Sequence, residues 1–315
     1  MTRVAAIDCG TNSIRLLIAD IDPAAGTLVD VDRRMDVVRL GAGVDRTGEI
    51  APEAMQRTLQ TTARYAQLCR TAEVAAVRFV ATSASRDARN REEFVTGVRT
   101  ILGVEPEVIA GSEEAALSFA GATAGWSAEH QSPFLVVDLG GGSTELVLGE
   151  RSVEAAVSVD IGCVRLTERH LHSDPPTPAQ LAAATADVEA ALDRAAEQVP
   201  LAQARTLVGV AGTVTTITAH VLGLPKYDPV AIHGSALDVD RVLAACDDLI
   251  TMPRATRAAL PFMHPGRVDV IGAGALIWRQ VVRRVAQVAP ITRTVTSEHD
   301  MLDGICWKLV RDGAA

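Results

Sequence analysis

Apolar residues along the chain fall into two kinds of segment. Short continuous runs such as "RVAAIDCG" and "PFLVVDLG" are typical of strands buried on both faces. Longer segments such as "PEAMQRTLQTTARYAQLCRTA" repeat apolar residues at helical spacing, and Pro52 stands in the first turn of that one. Because the two kinds of segment alternate along most of the chain, the pattern predicts an α/β architecture.

The same pattern predicts the individual elements. Strands are expected in "LVDVDRRMDVVRL", "AAVRFVATSA", "VEPEVIA", "TELVLGE", "SVEAAVSVDIG" and "TRTVTSE". Helices are expected in "REEFVTGVRTIL", "GSEEAALSFAGATAG", "TPAQLAAATADVEAALDRAAEQV", "DVDRVLAACDDLI", "GRVDVIGAGALIWRQVVRRVA" and "MLDGICWKLV". Ser112 is predicted to cap its helix, which places Glu113 and Glu114 in the first turn, and Thr177 is predicted to cap another helix, with Pro178 following.

One stretch of the chain occurs twice. Residues 7–20 read "IDCGTNSIRLLIAD" and residues 137–150 read "VDLGGGSTELVLGE". At a constant offset of 130 residues the two stretches share four identities, which are Asp8 with Asp138, Gly10 with Gly140, Ser13 with Ser143, and Leu16 with Leu146. Repetition on this scale predicts two similar lobes, each opening with a strand, a glycine turn and a second strand.

The glycine turns have the composition of a phosphate site. Glycine lets a ligand approach the backbone closely, and consecutive N–H groups in such a turn can converge on one anion. The carboxylates of Asp8, Asp138 and Glu145 cannot bind phosphate directly, but they can hold a hydrated Mg²⁺ that bridges to it. An ordinary hairpin with an exposed Asp is the alternative, and the repetition of the feature favours phosphate binding.

Length, charge and cysteine usage restrict the class of protein. A chain of 315 residues predicts two domains, and a net charge of −9 argues against a nucleic-acid partner. The five cysteines are odd in number and widely spaced, which indicates reduced, mostly buried thiols in a cytoplasmic protein. The N-terminus lacks the apolar stretch of a secretory signal, and no apolar run approaches the ~18 residues of a membrane span.

Two further segments of the second half have contrasting interpretations. In "ARTLVGVAGTVTTITAHVLG", Gly212 and Thr213 are predicted at a helix N-terminus that could receive a phosphate or a ribose. The segment "RHLHSDPPTP" is predicted to be an exposed corner and not a metal site, because its histidine pair lacks a carboxylate partner at fixed spacing.

Six of the segments carry a family resemblance. They are "AAIDCGTNSIRLLIAD", "FVATSASRDARN", "IAGSEEAALSFAG", "FLVVDLGGGSTELVLGE", "VGVAGTVTTI" and "GRVDVIGAGALI". In this order they resemble the motifs of the exopolyphosphatase/guanosine pentaphosphate phosphatase family, in which Ser is commoner at the position of Thr11. The resemblance implies an α/β fold with two ribonuclease H-like lobes of the sugar kinase/Hsp70/actin superfamily and an interlobe cleft.

The resemblance also implies the domain organisation. The lobes would comprise residues 1–125 and 126–298, with a C-terminal helix at about 299–315 packing back on the first lobe. The length is similar to that of the short family members, without the extra C-terminal region of longer relatives. We therefore expect a preference for shorter polyphosphates.

Residue roles follow from the same motifs. Glu114 corresponds to the catalytic carboxylate that orients or deprotonates water, with Glu113 as the alternative, and Arg86 corresponds to an arginine that reaches the phosphate. Asp8, Asp138 and Glu145 would surround the metal. The residues expected to bind phosphate are Thr11, Asn12, Ser13, Gly140, Gly141, Gly142, Ser143, Gly212, Thr213 and Arg267. Candidates for a positive track along the substrate are Arg15, Arg39, Arg165 and Arg267.

The resemblance implies a homodimeric, Mg²⁺-dependent exopolyphosphatase that releases orthophosphate from inorganic polyphosphate. Mn²⁺ is a candidate substitute, and an additional use of K⁺ is left open. Two alternatives remain, a phosphohydrolase acting on guanosine pentaphosphate (pppGpp) and a non-catalytic sensor that binds polyphosphate or an alarmone. A sugar kinase of the same superfamily is disfavoured, because "GSEEA" places an acid where an acceptor sugar would have to bind.

Overall fold

A computed structural model of the chain describes residues 1–124 and 130–313. The chain divides into two compact units, unit 1 with Met1–Gly121 and Met301–Ala315, and unit 2 with Ala122–Asp300. The lobe boundary expected at 125/126 and the last two residues of the expected C-terminal helix lie outside the described residues.

The elements of unit 1 begin at the N-terminus and resume near the C-terminus. The first part contains β1 (Thr2–Cys9), β2 (Ser13–Asp22), β3 (Thr27–Val37), α1 (Val44–Thr47), α2 (Pro52–Thr71), β4 (Ala76–Ala81), α3 (Ser83–Asp87), α4 (Arg91–Leu102), β5 (Glu107–Val108) and α5 (Gly111–Thr123).

Unit 2 follows directly along the chain. Its elements are β6 (Phe134–Leu139), β7 (Thr144–Gly149), β8 (Val153–Val159), α6 (Cys163–His170), α7 (Pro178–Ala196), β9 (Thr206–Val210), α8 (Ala211–Leu222), α9 (Pro229–Ile232), β10 (Ala236–Asp238), α10 (Val239–Thr251), α11 (Arg254–Ala258), α12 (Ile271–Val288) and β11 (Arg293–Thr296). Short 3₁₀ turns cover Leu201–Gln203 and Pro265–Arg267. The chain then returns to unit 1 as α13 (Met301–Arg311).

In the described part of unit 1 the strands form one sheet in the order β3-β2-β1-β4-β5. The first three strands are antiparallel, whereas β4 is parallel to both β1 and β5. One face of this sheet packs on α2 and α4, where Phe79 and Phe94 lie 6.0 Å apart between ring centroids. The other face is covered by α5 and α13, through side chains such as Leu117, Leu302 and Ile305. Residues buried on both faces explain the continuous apolar run of β1.

Unit 2 repeats this arrangement within its described residues. Its sheet has the order β10-β11-β9-β6-β7-β8, in which β6, β7 and β8 are antiparallel and β9 is parallel to β6. The core includes Trp278 of α12, whose ring leaves no room for a Cβ at Gly209 of β9.

The two opening hairpins have the same register, which supports the predicted repeat. Asp8 pairs with Arg15 across β1 and β2, and Asp138 pairs with Glu145 across β6 and β7. Both pairs are related by the offset of 130 residues seen in the sequence. The predicted sequence of strand, glycine turn and strand is therefore confirmed in each unit.

Helix boundaries agree with the sequence in most places. α2 begins at Pro52, and α7 begins at Pro178 after a complete capping box between Thr177 and Gln180. The prediction for Ser112 is wrong, because α5 already begins at Gly111 and the first-turn N–H groups of Glu113 and Glu114 donate to the carbonyl of Ala110. Ser112 therefore lies inside the first turn, where its side chain cannot act as the cap.

Among the described residues, no helix has both the length and the apolar character needed to cross a membrane. The predicted burial of the thiols is confirmed, since all five cysteines are buried and free. Burial raises the pKa of Cys69 and of Cys163 to about 11, and it also raises the pKa of Cys9, Cys246 and Cys306.

We expect the native protein to resist thiol reagents. The thiolate is the reactive form, and raised pKa values leave all five groups protonated at pH 8 as well as buried. Titration with an aromatic disulfide reagent at pH 8 should therefore detect no fast thiol in the native protein and five after unfolding in guanidinium chloride. Fast stoichiometric labelling of the native chain would contradict this burial.

Candidate active site

The turn between β6 and β7 is held from behind by the start of α6. Gly140 donates its N–H to the Ser143 carbonyl at 3.0 Å, which closes the turn. The Gly140 carbonyl accepts from Cys163 N at 3.0 Å, and the Gly141 carbonyl accepts from Val164 N at 2.9 Å and Arg165 N at 3.1 Å. Among the described residues, no hydrogen bond uses the N–H of Gly141 or Gly142. These amides are therefore available to an anion at the turn.

Gly162, just before α6, makes this arrangement sterically feasible. A Cβ at Gly162 would overlap the carbonyl group of Gly141 and would lie 2.5 Å from the nitrogen of Gly142. The neighbouring atoms are backbone, so the turn itself would have to move. Gly162 is not among the predicted site residues, and its only signal in the sequence is a glycine between the strand "SVEAAVSVDI" and the next helix.

The turn of unit 1 follows the same design. Gly10 N donates to the Ser13 carbonyl at 3.0 Å. The Thr11 carbonyl accepts from Gly41 N at 2.9 Å, and the Asn12 carbonyl accepts from Arg39 N at 2.8 Å. The Thr11 hydroxyl lies 2.9 Å from the hydroxyl of Ser83, which fixes it against the start of α3. In both units the carbonyls of the turn are thus occupied by the segment that follows the third strand.

Glu114 and Arg86, the predicted base and the predicted phosphate arginine, lie together in unit 1. Arg86 Nη1 donates to the carbonyl of Ile109 at 3.0 Å and lies 3.4 Å from Glu114 Oε2. The Glu114 side chain is 11% exposed and that of Arg86 is 28% exposed. The arginine is therefore anchored beside the carboxylate and does not extend into solvent.

Glu113 has different neighbours. Its Oε1 accepts from Arg78 Nη2 at 2.9 Å and from Lys308 Nζ at 3.0 Å. Burial opposes ionisation of Glu113, but hydrogen bonds from Lys308 and Arg78 outweigh it and lower the pKa of this carboxyl. A carboxylate held in two ion pairs is poorly suited to accept a proton from water. This geometry favours Glu114 as the base.

The carboxylates predicted to surround a metal occupy two different settings. Asp138 and Glu145 are directly opposite each other on one face of the β6–β7 hairpin, and Ser158 donates to Glu145 Oε1 at 2.7 Å. In unit 1, Asp8 Oδ2 accepts from Arg15 Nε at 2.8 Å and Nη2 at 2.6 Å. Within residues 1–124 and 130–313, no group of three or more His, Cys, Asp and Glu side chains could hold a metal ion. A hydrated Mg²⁺ requires only one or two protein carboxylates, so the Asp138–Glu145 pair fits it.

The start of α8 provides a second feature of unit 2. Ala211 adopts a left-handed backbone with φ 69°, so α8 begins immediately after β9 without intervening turn residues. The Arg267 guanidinium covers the first turn, where a Cβ at Gly212 would meet its Nε at 2.5 Å. Arg267 also donates to Thr216 Oγ1 at 3.2 Å. A fixed guanidinium at a helix N-terminus is suited to bind an anion.

Cys163 forms hydrogen bonds with both the glycine turn of unit 2 and the first turn of α8. Burial raises its pKa to about 11, while a hydrogen bond with Thr213 and the charge of Arg267 act in the opposite direction. Thr213 and Arg267 therefore lie beside the residue that binds the Gly140 carbonyl. The structure thus brings four of the predicted phosphate-binding residues of unit 2 close together, namely Gly140, Gly141, Thr213 and Arg267.

Arg165 and Arg39, two further candidates for the positive track, contact an acid and the unit 1 turn respectively. The segment "RHLHSDPPTP" also contacts other elements through side chains. Arg165 pairs with Asp160 at 3.0 Å, and the backbone N–H of Arg39 binds the unit 1 turn. None of the residues in "RHLHSDPPTP" is buried, which agrees with the predicted exposed corner, and His170 Nε2 lies 2.9 Å from Asp187 Oδ2 of α7. Asp174 of the same segment accepts from Arg257 at 2.5 Å, so the corner is anchored to α11.

Comparison with known proteins identifies the family. The chain belongs to the Ppx/GppA phosphatase family, whose model matches residues 17–308. It is 52% identical to exopolyphosphatase 2 of Mycobacterium tuberculosis over 98% of this chain and 99% of that protein. It is also 32% identical to guanosine-5'-triphosphate,3'-diphosphate pyrophosphatase of Aeromonas salmonicida, over 72% of this chain and 45% of that protein.

Solved structures agree with the fold. The crystal structure of an exopolyphosphatase-like protein matches with a TM-score of 0.95 at 45% identity, covering 99% of both chains. The Ppx/GppA family member of Aquifex aeolicus matches with a TM-score of 0.80 at 29% identity, covering 100% of this chain and 99% of that one. The fold class implied by the family resemblance is therefore confirmed, while the interlobe cleft stays a prediction.

Substitution of Gly162 tests the geometry of the turn. We expect Gly162→Ala to lower phosphatase activity on polyphosphate by about 100-fold, because the new methyl group displaces the backbone of Gly141 and Gly142. The measurement is the rate of orthophosphate release by the purified variant at a temperature where circular dichroism shows it to be folded.

Gly97→Ala is the matched control. A Cβ at Gly97 would also be crowded, at 2.8 Å, but by the tip of the Leu59 side chain, and Gly97 lies in α4 of unit 1. This variant should lose some stability and keep its activity. Equal activity of the two variants would show that the position of the unit 2 turn is unimportant for catalysis.

Proposed function

We propose that this protein is an exopolyphosphatase, which hydrolyses the terminal phosphoanhydride bond of inorganic polyphosphate and releases orthophosphate. The structural observation that carries the proposal is the buried carboxylate of Glu114 held 3.4 Å from Arg86. The preference for polyphosphate is supported by 52% identity to a protein named exopolyphosphatase 2.

The reaction requires little covalent chemistry from the protein. The oxygen of a water molecule attacks the terminal phosphorus, the bridging P–O bond breaks, and its electron pair remains on the shortened polyphosphate. Glu114 accepts the proton of the attacking water, while Arg86 neutralises charge on the equatorial oxygens. A guanidinium already anchored on the Ile109 carbonyl at 3.0 Å needs little reorganisation during the reaction.

The glycine turns are assigned to phosphate binding. In unit 2 the N–H groups of Gly141 and Gly142 would donate to phosphate oxygens, and the hydroxyl of Ser143 would add a donor. Arg267 at the start of α8 would bind a further phosphate of the chain. In unit 1 the corresponding donors are the backbone of Thr11 and Asn12 and the hydroxyl of Ser13.

Mg²⁺ is part of the proposal. Asp138 and Glu145 would hold it, because they present two carboxylates on one face of the hairpin. When bound, the ion supplies positive charge that neutralises the phosphate oxygens. Asp8 fits this role less well than the pair in unit 2, because Arg15 already binds its Oδ2. Use of Mn²⁺ or K⁺, a homodimeric state and a cytoplasmic location are further expectations attached to this proposal.

Hydrolysis of pppGpp is the second candidate function. It is supported by the 32% identity to the Aeromonas salmonicida guanosine-5'-triphosphate,3'-diphosphate pyrophosphatase. The same glycine turns and the same base would serve both substrates, since each reaction transfers a terminal phosphoryl group to water. A non-catalytic sensor is disfavoured, because it would have no need for a buried carboxylate paired with an arginine.

The catalytic assignment is tested by Glu114→Gln. We expect at least a 100-fold loss of kcat, since the amide cannot accept the proton and general bases typically contribute 10²- to 10⁴-fold. Binding of polyphosphate, measured by calorimetry, should change little because the phosphate contacts are elsewhere. Glu113→Gln serves as the comparison and should retain clearly more activity. An inactive Glu113→Gln enzyme beside an active Glu114→Gln enzyme would move the assignment to Glu113.

The substrate is tested by a side-by-side assay of the wild-type protein. Orthophosphate release would be measured with short-chain polyphosphate, long-chain polyphosphate and pppGpp, each with Mg²⁺ and with EDTA. We expect the highest kcat/KM with polyphosphate and a loss of activity in EDTA. A higher kcat/KM with pppGpp would favour the second function, and tight binding without release from any substrate would favour a sensor.

A further inference from the structure

The C-terminal helix makes backbone-level contact with the helix that carries Glu114. Gly304 of α13 lies so close to α5 that a Cβ there would overlap the carbonyl oxygen of Leu117 and lie 2.8 Å from its carbonyl carbon. Leu117 is one turn beyond Glu113 and Glu114. The two helices therefore touch without an intervening side chain at this point.

α13 is itself firmly attached to the sheet of unit 1. Leu302, Ile305 and Cys306 are buried against side chains of β1, β2 and β4. Asp303 is 1% exposed and accepts from Arg33 Nη2 of β3 at 2.6 Å. α13 is thus a fixed element against which a neighbouring helix can be positioned.

A second contact holds the first turn of α5. Lys308 of α13 donates to Glu113 Oε1 at 3.0 Å, and Arg78 of β4 donates to the same oxygen at 2.9 Å. Arg78 is largely buried and also binds Glu107 of β5 through Nε and Nη2. Glu113 is therefore held simultaneously by the sheet and by the C-terminal helix.

This contact determines the direction of the next side chain. Successive residues of an α-helix point about 100° apart, so fixing Glu113 fixes the rotation of the first turn that presents Glu114. At about 6 Å from the helix axis, a rotation of about 10° moves a side-chain atom by about 1 Å. A displacement of that size can cost about 100-fold in rate.

We propose that Glu113 and Lys308 are positioning residues, which hold the first turn of α5 so that Glu114 faces Arg86. This inference rests on the proposed function, in which Glu114 is the base. It gives the adjacent acids of "GSEEA" two distinct roles, and it assigns a role in catalysis to a helix nearly 200 residues further along the chain.

If the ion pair between Lys308 and Glu113 has no positioning role, a different result is expected. Partly exposed ion pairs contribute little to stability. The loss of a pair that only stabilises the fold should leave kcat of the folded enzyme unchanged. The side chains of Lys308 and Glu113 are 44% and 36% exposed, so removal of the lysine should leave the protein folded. The effect on kcat can therefore be separated from the effect on stability.

The test compares three variants in α13. Lys308→Met removes the cation, Lys308→Arg retains it, and Arg311→Met removes an exposed cation of the same helix that lies 5.7 Å from the centroid of the Trp307 ring. We expect Lys308→Met to lower kcat for polyphosphate about tenfold with KM changed less than twofold. Lys308→Arg should restore most of the rate, and Arg311→Met should resemble the wild type.

A second measurement does not depend on activity. Hydrogen–deuterium exchange should show faster exchange for α5 peptides in Lys308→Met than in the wild type or in Arg311→Met. Absence of hydrolysis by the wild-type protein would overturn the proposed function, while the exchange data would still test the contact.

Several results would contradict the positioning role of Glu113 and Lys308. It would be overturned by wild-type kcat in Lys308→Met, by equal losses in Lys308→Met and Arg311→Met, or by unchanged exchange of α5. A rise in KM alone would also overturn it, because it would place Lys308 in substrate binding.

Discussion

The arrangement of the candidate site depends on how the carbonyls of two glycine turns are bound. In each unit, the segment after the third strand donates N–H groups to these carbonyls, as Val164 does to Gly141 and Gly41 does to Thr11. A peptide plane whose carbonyl is held in one direction presents its N–H in the other. The orientation of the amides predicted to bind phosphate therefore follows from contacts behind the turn, and in unit 2 glycine at position 162 permits those contacts.

The charges near these turns are organised in pairs, which reconciles an acidic chain with an anionic substrate. The net charge is −9, so any phosphate must be attracted locally and not by the global field. Arg86 is fixed beside Glu114 and Arg165 beside Asp160, at 3.4 and 3.0 Å. A guanidinium with five donors can bind one carboxylate and still direct further N–H groups toward a phosphate. Pairing thus holds each of these guanidinium groups in a fixed orientation.

Sequence reasoning succeeded where the determinant is local. The start of α2 at Pro52, the cap of α7 at Thr177 and the strand–turn–strand form of each opening hairpin rest on neighbouring residues and appear in the structure as predicted. Sequence reasoning failed where a contact between residues distant in sequence determines the local structure. Ser112 has the residue type of a cap, yet α5 begins before it. The importance of Gly162 depends on backbone that is 20 residues away in sequence, which no local pattern reveals.

The two acids of "GSEEA" show why such tertiary information matters for chemistry. Both lie in the first turn of α5, where the helix dipole stabilises any carboxylate. Their position in the helix therefore cannot show which of the two is the base. Their neighbours do distinguish them, because Glu113 is held by two cations from α13 and β4, whereas Glu114 turns to Arg86. A base must be able to take up a proton, and doubly bound Glu113 would lose two ion pairs by doing so. The contact that makes Glu113 the weaker candidate for the base also joins the first turn of α5, which carries Glu114, to α13 and β4.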